Sequence, residues 1–162
     1  MAPPDIDFME EIKARIEAAM VEDGPLASIK RVKIGAGEEA RGGDSSAFPL
    51  INIDLIDGSN GPESQNNQRF EIMNVSVTLV VSKLASDENK LYDTADSSGA
   101  LFLFGKLRNV IEKNTAGVID NGFNGTVQNF LSMNYKILQD QACVECQLNL
   151  SAQSKQFIAG GR

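Results

Sequence analysis

The run from Arg69 to Lys83 constrains the fold more than any other stretch of the chain. Met73, Val75, Val77, Leu79 and Val81 occupy alternate positions, with Asn74, Ser76 and Thr78 between them. Side chains alternate across a strand with period two, so the pattern predicts one long strand with an apolar face on a core and a polar face toward water. A parallel sheet covered on both faces would read as a continuous apolar run; a sheet wet on one side is typically antiparallel. Residues 49–56 repeat the pattern, with Ile51, Ile53 and Leu55 set against Asn52 and Asp54. Ser28–Ile34 predicts a shorter, basic strand. Near the C-terminus, Leu131, Met133, Tyr135 and Ile137 predict one inward strand face, and Val144, Cys146, Leu148 and Leu150 the next. Gln139-Asp140 is the expected turn between them.

Two segments switch to the helical period. Phe8, Met9, Ile12, Ile16, Ala19 and Met20 recur at spacings of three and four, which predicts a helix over 5–22. Asp5 or Asp7 caps its start, and Asp23-Gly24-Pro25 stops it, with Gly24 supplying a left-handed residue. Ala100, Leu103, Phe104, Leu107, Val110 and Ile111 form the stripe of a second helix over 96–113, capped by Asp96, Ser97 or Ser98. The resulting order is α-β-β-β-α-β-β. It predicts a single α+β domain over 1–162, a mainly antiparallel sheet of four to five strands with both helices packed on one face.

Composition removes several function classes. The 162 residues contain no His and no Trp, so the commonest general base and metal ligand are both missing. Fifteen Lys and Arg against 22 Asp and Glu give a net charge of −7, the wrong sign for a dedicated nucleic-acid binder. No apolar run reaches the ~18 residues of a membrane span. The start, MAPPDID, is acidic and lacks the apolar stretch of a signal peptide.

The short motifs fail their structural requirements. Gly35-Ala36-Gly37-Glu38-Glu39-Ala40 fits a relaxed dinucleotide fingerprint, but Gly42-Gly43 interrupts the helix it needs and the glutamates repel phosphate. Cys143-Val144-Glu145-Cys146 has metal-site spacing without the further Cys or His that zinc requires. Three residues apart on a strand, the two thiols face opposite sides, predicting a core Cys146 and a surface Cys143 in a reducing compartment. No Ser-x-x-Lys or Gly-x-Ser-x-Gly occurs. No nucleophile, base and oxyanion hole assemble, and no cofactor or metal is expected. The residues point to a non-enzymatic interaction protein.

Two long polar connections are the expected interaction elements, since segments of this length are often functional. Gly35–Ala47 carries Glu38, Glu39, Arg41 and Asp44, and its glycines suit a loop that a partner orders. Asp57–Gln68 carries Asp57, Asn60, Glu63 and Asn66 and offers mostly neutral hydrogen bonding. A two-residue turn is expected to replace Gly35–Ala47 without unfolding the chain.

The order of elements carries a resemblance. An amphipathic helix precedes the basic strand Ile29-Lys30-Arg31-Val32-Lys33-Ile34, and Ala47-Phe48-Pro49-Leu50-Ile51-Asn52-Ile53 opens the next strand. The long strand Asn74–Val81, a helix containing Leu107-Arg108-Asn109-Val110-Ile111 and the closing Glu145-Cys146-Gln147-Leu148-Asn149-Leu150 complete it. This resembles the tail terminator, or tail completion, family of long-tailed bacteriophages. The resemblance implies a homohexameric ring in the neck of the virion, assembled in the host bacterial cytoplasm. Such a ring caps the tail tube, ends its polymerisation and meets the head-tail connector. Tail tube protein and connector would be the partners, with genomic DNA only in passage and no membrane. Acidic walls suit a conduit, because they repel phosphate. The alternatives are another connector or tube subunit, or a small-ligand-binding protein or enzyme using Gly35–Ala47.

Overall fold

A computed structural model describes residues 4–35, 49–63, 68–82, 99–112, 127–139 and 143–157. The elements run in the order α1 (Pro4–Ala19), β1 (Arg31–Ile34), β2 (Leu50–Glu63), β3 (Gln68–Ser82), α2 (Ala100–Glu112), β4 (Val127–Gln139) and β5 (Cys143–Phe157). The strands form one five-stranded sheet, β1-β2-β3-β5-β4. β2, β3, β5 and β4 pair antiparallel, and β1 joins β2 in parallel, Arg31 opposite Leu50. The α+β class and the element order are those expected from the sequence.

The alternation along β3 decides where the core lies. Met73, Val75, Val77, Leu79 and Val81 share a face with Ile51 and Ile53 of β2 and with Val144, Cys146, Leu148, Leu150 and Ala152 of β5, all buried. The stripes of α1 (Phe8, Met9, Ile12, Ile16) and α2 (Ala100, Leu103, Phe104, Leu107, Ile111) close over it in one continuous cluster. α1 lies over β1 and β2, α2 lies over β3 and β5, and the helices touch each other. Arg15 reinforces that contact: its Nη1 donates to the Ile111 carbonyl at 2.9 Å, and its Nη2 lies 3.5 Å from Glu11. Ile111 is in the last turn of α2, where carbonyls lack helical partners and the dipole favours a cation.

α1 ends sooner than expected, and the device differs. Asp23, at φ 63°, takes the left-handed conformation instead of Gly24. Gly24 serves close approach: its N–H donates to Val21 O at 2.8 Å, and Leu26 donates over it to Ala19 O at 2.9 Å. A Cβ at Gly24 would stand 2.5 Å from Ala19 O.

Four other expectations are corrected. Asp57–Gln68 is mostly strand: β2 and β3 continue as a ribbon to Glu63 and Gln68, leaving 64–67 to connect them. The expected first strand shortens to Arg31–Ile34, and its pairing with β2 is parallel. Parallel neighbours cannot be joined by a tight hairpin and need a crossover of about a dozen residues or more, so the length of Gly35–Ala47 has a topological cause. Cys143 is buried rather than at the surface, 7% exposed beside Leu50 and Val80 on the face away from the helices. Tyr135, expected inward, is half exposed because β4 is an edge strand. Asp96, Ser97, Ser98 and Asp140 lie outside the described residues, and the side chains of Asp5, Asp7, Leu131 and Met133 are not described.

Candidate functional site

The sequence-derived interface residues separate into two groups. Glu38, Glu39, Arg41, Asp44 and Asn66 lie outside the described residues. Asp57, Asn60 and Glu63 lie on the β2–β3 ladder, opposite Asn74, Glu71 and Arg69. Asp57 is exposed and accepts a hydrogen bond from Asn74 Nδ2, just past the register shift after Leu55. That shift leaves Ile56 half exposed. Asp57 thus holds an irregular ladder together across two strands, a role that a flexible loop residue would not have.

Gly35 closes β1. Its N–H continues the ladder by donating to Ile53 O at 2.9 Å, and its φ of 133° is one that side chains rarely adopt.

The two thiols cannot cooperate, since Cys146 sits under the helices and Cys143 on the other face. Burial pushes the Cys146 thiol from 9.0 up to about 12, the reverse of what a nucleophile or metal ligand requires. Among the described residues, no group of three or more His, Cys, Asp and Glu is placed to hold a metal ion. No described helix is long and apolar enough to cross a membrane.

The surface with chemistry to offer is the β4 side of the sheet. Tyr135 opposes the core residue Leu148 and rises beside α2. Its ring meets Phe104 edge-on, centroids 5.6 Å apart at 69°. The Arg108 guanidinium lies 4.9 Å from the Tyr135 centroid and 5.5 Å from that of Phe104. Its Nε is buried without a hydrogen-bond acceptor, and among the described residues no carboxylate pairs with it. Leu138, 45% exposed, lies on the same strand. No described strand pairs with the outer side of β4. Sequence reasoning missed this cluster because Arg108 and Tyr135 meet only through the fold; an Arg and an aromatic on separate elements give no local pattern.

No protein-family profile matches the sequence, and no curated protein matches it. Among solved structures, the chain is similar to one from the virion of a native gene transfer agent (GTA) particle, with a TM-score of 0.51 and 9% identity. The match covers 96% of this chain and 100% of that one. The chain has the fold of a virion protein. The likeness runs through both helices and the sheet, so it describes a whole domain and not a shared motif. It is a likeness of fold alone.

Proposed function

We propose that the protein is a non-enzymatic structural subunit of a phage-like virion, and more narrowly a tail terminator. In this role it forms a ring, hexameric in the family it resembles, that caps the tail tube, stops its growth and joins it to the head connector while DNA passes through the lumen. The observation that carries the proposal is the end-to-end correspondence with a virion chain, 96% of one on 100% of the other. Chemistry supports the same direction. The net charge of −7 suits a conduit through which DNA must slide without adhering. An open sheet with a long outer strand suits assembly by contact between unlike surfaces, which closes into a ring when the rotation allows.

A connector or tube subunit is the second role, favoured by the same correspondence, because a fold alone does not separate parts of one particle. Negative-stain imaging and mass photometry of the purified protein distinguish them. Rings of six support the terminator and rings of twelve a connector. A persistent monomer with a saturable small ligand would overturn both in favour of an enzyme or binding protein.

A further inference from the structure

Arg108 is an unusual cation for an acidic chain. Cation–π contact with Tyr135 and Phe104 holds its guanidinium between the two rings, where its N–H donors can still meet an anion. Its Nε is buried, so a ligand meets the Nη end, and that fork matches a carboxylate. Tyr135 adds exposed surface on the helix side of the edge strand, whereas exposed Leu138, opposite Glu145, lies on the other face of the sheet. Aromatic and Arg side chains together are the usual anchors of protein contacts.

The opposite end of the sheet carries the complement. α1 lies over β1 and β2, and the turn that follows it leads into β1, the other outer strand. That turn presents Val21, 59% exposed, followed by exposed Glu22 and Asp23. Among the described residues neither carboxylate has an ion-pair partner. One side of the molecule thus carries an aromatic-framed cation; on the other, the exposed acidic turn stands ahead of the basic β1, where Lys30 and Arg31 are exposed, and within one chain the sheet holds the turn and Arg108 apart.

We propose that these two patches meet between copies of this chain: the Val21–Asp23 turn of one subunit docks on the Arg108–Tyr135 stack and β4 edge of the next, with Glu22 as the partner of Arg108. The contact joins unlike surfaces, so it repeats head to tail and closes a ring if its rotation allows. It rests on the self-assembly in the proposed function and specifies which surfaces carry it.

Charge exchange tests it. Arg108→Glu and Glu22→Arg each place like charges across the contact, and each is expected to weaken subunit association by about tenfold or more. The double variant restores the attraction and is expected to recover rings. Mass photometry over a concentration series reads the assembly, and circular dichroism verifies that each variant is folded. Arg108→Gln and Glu22→Gln serve where a reversal impairs folding, and they are expected to weaken the ring without rescuing each other. If wild type and all variants form equal rings, the docking assignment is overturned and the ring function stands. Rings lost in both single variants and not regained in the double overturn the Glu22–Arg108 pairing. A wild-type protein that stays monomeric overturns the ring function, and this contact with it.

Discussion

The same substitution is expected to act in opposite directions at two glycines. At Gly24 an added Cβ would lie 2.5 Å from Ala19 O and 2.9 Å from Val21 O, both backbone atoms. Neither can move freely, because Val21 O accepts from Gly24 and Ala19 O accepts from Leu26. Relieving the clash in Gly24→Ala therefore sacrifices those two hydrogen bonds, at about 0.5–1.5 kcal/mol each, or roughly 1–3 kcal/mol together. For a chain of this size that lowers the melting temperature by about 2–12 °C. Gly105, inside α2, has no atom within 4 Å of the position a Cβ would take other than its chain neighbours and the adjoining helix backbone. Gly105→Ala gains helix propensity without a clash, worth roughly 0.5–1 kcal/mol of added stability. Urea unfolding of both variants beside wild type, followed by circular dichroism, measures the two signs. A Gly24→Ala protein as stable as wild type would refute the close-approach account of the turn. A destabilised Gly105→Ala would show that α2 is more crowded there than its geometry indicates.

Leu107, fully buried in the cluster that includes Val77 and Leu79, is expected to cost about 2–5 kcal/mol on truncation to Ala, and an unchanged unfolding midpoint would mean that α2 is not docked there. The Cys146 thiol, pushed up from 9.0 to about 12, titrates in the unfolded chain before the folded one. Its stabilising share is complete below pH 9 and declines as pH rises from 9 toward 12, so urea midpoints should fall less steeply over that range in Cys146→Ala than in wild type. Replacing 36–48 by two residues is expected to break the pairing of β1 with β2, because parallel strands cannot be joined by a tight turn. Hydrogen exchange at Arg31–Ile34 as slow as in wild type would contradict this.

What was legible in the sequence was local. The stripe Phe8, Ile12, Ile16 and the alternation Met73 to Val81 each follow from a single period, and both elements formed where those periods placed them. What depended on a distant partner was misjudged. Asp57–Glu63, DGSNGPE, has the composition of a turn, yet β3 forms a ladder with it as far as Glu63 opposite Arg69. A neighbouring strand can override weak strand propensity. Cys143 looked superficial because its face of the strand is mostly polar, but Leu50 and Val80 converge on it from elsewhere in the chain. The parallel direction of β1 leaves no trace in Arg31–Ile34 itself. Both connections chosen as interaction elements owed their apparent length to pairing that the sequence does not display, and the Arg108–Tyr135 stack was hidden for the same reason.

The middle of the sheet is a seam between two halves of the polypeptide. β3 lies beside β5 along their whole length, Gln68 opposite Phe157 and Ser82 opposite Cys143, although α2 and β4 come between them in the chain. The described elements up to Ser82, α1 with β1, β2 and β3, build one flank; those from Ala100 onward, α2 with β4 and β5, build the other. A cut within 83–98 would leave every described strand pairing within each flank intact, and the severed pieces would present matching strands to each other. Two separately made fragments are therefore expected to rebuild the sheet on mixing, since neither holds the whole core by itself.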